Sequence, residues 1–243
     1  MIKLNFYSKL IRLGFIFFYL ISSKFAICQN LNDEYFYNLE NELNQKNLTA
    51  LEKYFKDYEK INFKNKFIKL VKEFPNAKWK ILQTKNINLN QYQLDMRLSG
   101  SKDLNEKKFK LESNYQFIFT LENGEIQNSY IKNNLTIIRN DNNQIDINIS
   151  IPNKVLTGSK YDIDIILNTP LGETIIAGGI KEQLEDNLFD QSIRIKPLAT
   201  GGIFKVTRAP IKAGNQIWTG IIAHPQGIVS FTKSVEIVES FNP

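Results

Sequence analysis

Pro75 divides the hydrophobic rhythm of this chain in two, and that switch constrains its fold more than any other feature. Ahead of it, apolar residues recur at helical spacing: Phe36, Leu39 and Leu43, then Leu48, Leu51, Phe55 and Tyr58, then Phe67, Leu70, Val71 and Phe74. Recurrence at i, i+3, i+4 and i+7 draws one apolar stripe along a helix, so two or three amphipathic helices are expected between Asp33 and Phe74. Asn47 with Thr49 can start the second. Pro75 stops the last, because it has no amide proton and holds Phe74 in an extended conformation. The lysines between the stripes, among them Lys53, Lys56, Lys60, Lys64 and Lys72, read as a solvated helix face. Behind Pro75 the period falls to two. Trp79 to Leu82, Tyr92 to Leu98, Phe109 to Phe119 and Ile126 to Ile138 read as four strands, with Asn123-Gly124 making a tight hairpin turn between the last two.

A second alternating block follows the polar run Asn140-Asp141-Asn142-Asn143. That run lacks the ligand spacing and sixth-position glycine of a calcium loop, so it reads as a linker over residues 141–143. Ile145, Ile147, Ile149 and Ile151 alternate with Asp146, Asn148 and Ser150, a half-buried strand. Tyr161 to Leu167, Thr174 to Ile180, Ser192 to Lys196, Ile203 to Thr207, Ile217 to Ala223, Ile228 to Thr232 and Val235 to Val238 continue the series. Strands this short and this evenly spaced predict an antiparallel sandwich with Trp218 in its core. The expected domains are therefore 29–140, helices on a sheet, and 144–243, all strand; the fold class is α+β.

The first 28 residues read as an address label. Lys3, Lys9 and Arg12 precede the apolar run Leu13 to Ile21, and Ala26-Ile27-Cys28 supplies small residues before a cleavage point, the anatomy of a secretory signal peptide. A membrane-spanning helix needs roughly 20 predominantly apolar residues, and Ser22, Ser23 and Lys24 end the run well short of that. Removing these residues takes away four basic groups and no acid, so the net charge drops from +6 to +2. Nucleic-acid binding, which needs a clustered basic face, then loses its best support. Its single cysteine leaves with the leader, so neither disulfides nor thiol chemistry are expected. The expected location is exported, in a periplasmic, luminal or extracellular compartment. The alternative is membrane-anchored, through an uncleaved leader or a lipidated Cys28.

Two resemblances sit beside this reading. Helices ending in Phe74-Pro75-Asn76-Ala77-Lys78-Trp79, the strand from Tyr92 to Ser99, and the hairpin carrying Tyr115 to Phe119 and Glu122-Asn123-Gly124-Glu125-Ile126 resemble the NTF2-like (SnoaL-type) cone fold over residues 31–140. The C-terminal block resembles an immunoglobulin-like or fibronectin-type sandwich without its disulfide. The first resemblance implies a curved sheet wrapped around a pocket, used by some members of that family for acid/base catalysis and by others for binding alone. In such a pocket Asp95 is the candidate catalytic base, with Tyr92 and Arg97 as candidate ligand-binding residues. A neighbouring Arg lowers a carboxylate's pKa where general-base work wants it raised, which counts against catalysis.

No other constellation carries chemistry. His224 is the one histidine, placed in a turn beside Pro225, and without companions it makes no zinc site. Asp162 and Asp164 read as outward residues of a strand. The expected function is a non-enzymatic exported binding or scaffolding protein with a protein partner, no cofactor, no metal and no nucleic acid. A small-molecule enzyme or ligand carrier using the cone pocket, and a membrane-anchored assembly factor, are the alternatives.

Overall fold

The computed structural model describes residues 33–88, 90–104, 106–140, 145–168, 174–183, 192–198 and 201–241. The leader, Cys28 and the 141–143 linker lie outside the described residues. Among those described, no helix is long and apolar enough to cross a membrane.

The helices form where the apolar stripe predicts them. Helix α1 spans 33–45, α2 is Leu48–Leu51, and α3 is Asp57–Glu73. The Asn47 side chain accepts from the Ala50 amide at the start of α2, satisfying a donor that a helix start leaves unpaired. Their stripe of Phe36, Leu39, Leu43, Leu51 and Phe67 is buried with Phe55 against the strands that follow. A stack of rings from Phe55 through Phe63 and Phe67 to Trp79 runs along the contact.

Those strands are long: β1 Lys78–Asn88, β2 Gln91–Leu104, β3 Lys107–Glu122 and β4 Glu125–Asn140, joined in antiparallel order. Asn123 and Gly124 turn β3 into β4 at positive φ, 53° and 82°, as a tight hairpin requires. Further strands follow: β5 Ile147–Ser150, β6 Lys154–Leu156, β7 Lys160–Leu167, β8 Ala177–Gln183, β9 Lys196–Pro197, β10 Gly202–Arg208, β11 Gly214–His224 and β12 Gly227–Val238.

This corrects the expected α+β architecture, for among the described residues the helices are confined to 33–73 and lead into a body built mostly of antiparallel strands. Strand β4 pairs antiparallel with β12, from Arg139 opposite Val229 to Leu135 opposite Lys233. Among the described residues the main sheet therefore runs without interruption in the order β1-β2-β3-β4-β12-β11-β8-β9, with β6 added alongside β12. No closed cone forms among them, and the second block is no free-standing immunoglobulin-like sandwich, because one of its two layers is the continuation of the first block's sheet. The physical reason is hydrogen bonding: the edge of β4 is a row of unpaired backbone groups, and β12 satisfies it.

The two halves of this sheet are covered on opposite faces. Ile138 packs into the cluster under the helices, whereas its neighbour Ile137 packs into the clusters beyond. Successive residues of a strand point to opposite faces, so the helices lie on one side. The small sheet β10-β7-β5 lies on the other. Between it and the main sheet Ile163, Ile165, Trp218, Ile222, Phe231 and Val235 are buried. Gly220 belongs in this layer because the Phe231 ring occupies the space a Cβ would need. Val229, Phe231, Val235 and Ile237 form the inward row of β12. The alternation that begins at Ile228 thus continues past Thr232 through the expected break, and what reads in sequence as two strands is one.

Candidate functional site: a carboxamide-lined cleft closed by Lys233

Lys233 occupies the middle of that inward row. It is 5% exposed, in a register where every second neighbour on the strand is apolar. Its ammonium donates to the Asn133 side-chain oxygen on β4 and to Asn153 Oδ1 at 2.6 Å in the turn between β5 and β6. No carboxylate lies within ion-pair distance of it among the described residues. Burial therefore acts unopposed and pushes its pKa down from 10.5 to about 8, since removing water disfavours the charged form.

Strand β6 is what brings Asn153 to this amine. It runs parallel to β12, with Lys154 opposite Glu236. The Glu236 amide donates to the Asn153 carbonyl at 2.9 Å, and Lys154 pairs with the Glu236 carboxylate at 3.3 Å. The turn is thus fixed from its backbone, leaving the Asn153 side chain to meet Lys233.

In front of Lys233 opens a cleft of about 740 Å³. It forms where the small sheet ends and the main sheet continues uncovered. Asn114, Gln116, Asn133 and Asn153 line it with four carboxamides, Leu82, Leu135 and Ile151 supply apolar wall, and Asp95 lines it from β2. Register orders the polar groups across the strands: Asp95 lies opposite Gln116, and Gln116 opposite Asn133. Each carboxamide offers donors and an acceptor, so the floor can pair with a ligand of either polarity. The Asp95 carboxylate accepts from Gln93 Nε2 at 2.9 Å.

The residues singled out from sequence are divided by this geometry. Asp95 lines the cleft. Arg97 is exposed, and its Nε donates to Asn114 Oδ1 at 3.4 Å. Tyr92 is elsewhere: it is buried under the helices, stacked on Phe119 and edge-on to Phe36, on the opposite face of β2 from Asp95. The space the cone resemblance reserves for a pocket is filled by these rings. His224 sits at the β11–β12 hairpin, its Nδ1 accepting from the Gln226 amide at 3.1 Å. No cluster of three or more histidine, cysteine or acidic side chains suited to a metal occurs among the described residues.

Lys233, Asn133 and Asn153 are absent from the sequence-derived candidates. The signal was available: with β12 read as one strand, a lysine stands between Phe231 and Val235 where alternation demands an apolar residue.

Residues 142–238 match a protein family described as Domain of unknown function (DUF8623). The matched stretch holds Lys233 and Asn153, whereas Asp95, Gln116 and Asn133 precede it, so the cleft is assembled across its boundary. No curated protein matches the chain.

Proposed function

We propose that this protein is an exported, non-enzymatic binding protein that holds a small polar ligand in the cleft in front of Lys233. The observation that carries the reading is a buried amine facing four carboxamides in one cavity. Burying an ammonium without a counter-ion is costly, and a ligand that brings acceptor groups to the cleft offsets that cost. The four carboxamides hydrogen-bond without titrating, which favours binding over turnover. The leader-like sequence of residues 1–28 supports an envelope, luminal or extracellular site of action.

The test is a screen of small polar compounds by amide chemical-shift perturbation, repeated with Asn114→Trp. Asn114 is exposed on the cleft floor, on the same face of β3 as Gln116, so a bulky ring there fills the cleft without entering a core. Hits should perturb Gln116, Asn133 and Lys233 and should lose at least tenfold in affinity in the variant. Hits that map elsewhere, or that ignore the variant, contradict the reading.

A further inference from the structure

Two opposite charges that line the cleft, Lys233 and Asp95, say more about the occupant. We infer that the cleft takes an elongated zwitterion, of the class of short peptides with free ends, its carboxylate against Lys233 and its ammonium against Asp95. This rests on the binding function proposed above and adds the chemistry of the ligand.

Strand spacing sets the length of the occupant. Asp95, Gln116 and Asn133 lie on three adjacent strands, and neighbouring strands are about 4.8 Å apart. Lys233 reaches back from β12 to hydrogen-bond Asn133, so its ammonium lies near β4 and roughly 10 Å, two strand spacings, from Asp95. An extended chain advances about 3.3–3.6 Å per residue. An ion pair at each end takes about 2.8 Å of the span when it points along the cleft and none when it points out of the floor, so the span admits two to three residues. Between them, on β3, stand Asn114 and Gln116. A peptide group presents one donor and one acceptor, the same pair that a carboxamide presents in return. Leu82, Leu135 and Ile151 give an apolar central side chain a surface to cover.

The Lys233 ammonium has three donors, and Asn133 and Asn153 take two. The third remains for a carboxylate, the acceptor that best compensates a desolvated cation. At the other end, the Asp95 carboxylate has acceptor capacity beyond its bond from Gln93.

Isothermal titration of the full chain with Ala-Leu-Ala, its N-acetyl form and its C-terminal amide tests this. The free peptide should bind, and blocking either end should weaken binding at least tenfold. In Lys233→Met the amide and the free acid should bind alike; in Asp95→Asn the acetylated and free forms should bind alike. Equal binding of blocked and free peptides by the unaltered protein overturns the inference, and this comparison needs no variant to fold. If the tripeptide fails while other compounds bind in the cleft and are excluded by Asn114→Trp, the zwitterion falls and the binding reading stands. If nothing in the screen binds in the cleft, both fall.

Discussion

The two halves of the main sheet solve the same problem in opposite ways. The β1–β4 half buries its helix-side face under aromatic rings and leaves its other face polar, with Asp95, Gln116 and Glu112 along it. The β12–β11–β8 half buries that second face under the small sheet and leaves Thr219, Thr232 and Ser230 half-buried on the first. A sheet covered alternately on its two sides must have a place where one cover stops, and the cleft is that place. Lys233 stands on the boundary, in an apolar row but within reach of the uncovered polar floor.

The largest expected effect comes from removing a ring from each cover. Phe119→Ala and Phe231→Ala should each cost about 3–5 kcal/mol, as both side chains are fully buried. With one continuous sheet, either change lowers a single unfolding transition followed by far-ultraviolet circular dichroism. Two separate transitions, each sensitive to only one of the variants, break the comparison by making the halves independent.

Next in size is the pH dependence of Lys233. In the unfolded chain the amine titrates near 10.5, and in the fold near 8, so between these values the unfolded state holds the extra proton. Stability then rises with pH across that window. A shift of this size sets a ceiling of about 3 kcal/mol on the rise, and water at the open mouth of the cleft screens the amine and brings the expected rise to about 2 kcal/mol. In Lys233→Met that rise should vanish, measured as the difference between the two proteins in urea titrations from pH 7 to 10.5.

Smaller effects belong to the outer edge of the first half. The Asn44 side chain of α1 donates to the Trp79 carbonyl and accepts from the Trp79 amide, both at 2.9 Å. Glu40 accepts from the Ile81 amide at 2.7 Å. Together they occupy backbone groups that an edge strand otherwise offers to another chain. Asn44→Ala should cost about 1 kcal/mol, the net worth of part-buried hydrogen bonds that water can replace, and should raise concentration-dependent association in analytical ultracentrifugation. Smallest is Gly124→Ala at the β3–β4 turn, where φ is 82°; a loss of about 1 kcal/mol is expected, read from the same urea titrations.

Local features were legible before the fold was known. Periodicity places the helices, the Asn123-Gly124 pair announces its hairpin, and Trp218 is a core residue as expected, 2% exposed. What local pattern cannot carry is a pairing between distant segments. The union of β4 with β12 depends on which edge finds which partner, and that choice carries one sheet across the expected 141–143 linker. Strict alternation also separates Tyr92 from Asp95, three positions apart on one strand, although the cone resemblance grouped them. Lys233 escaped because a charged residue among apolar ones looks like the end of a strand. Only the carboxamides supplied by β4 and by the β5–β6 turn explain how it can be buried.

Everything proposed for the cleft depends on that buried amine, and a direct titration of the Lys233 side chain, followed through its ε-carbon by NMR, tests it most simply. A midpoint near 8 in the unliganded protein, moving upward when a carboxylate ligand binds, is the expected result. A midpoint at 10.5 that no ligand moves contradicts it, for the amine would then be in water and the cleft would have no closed end.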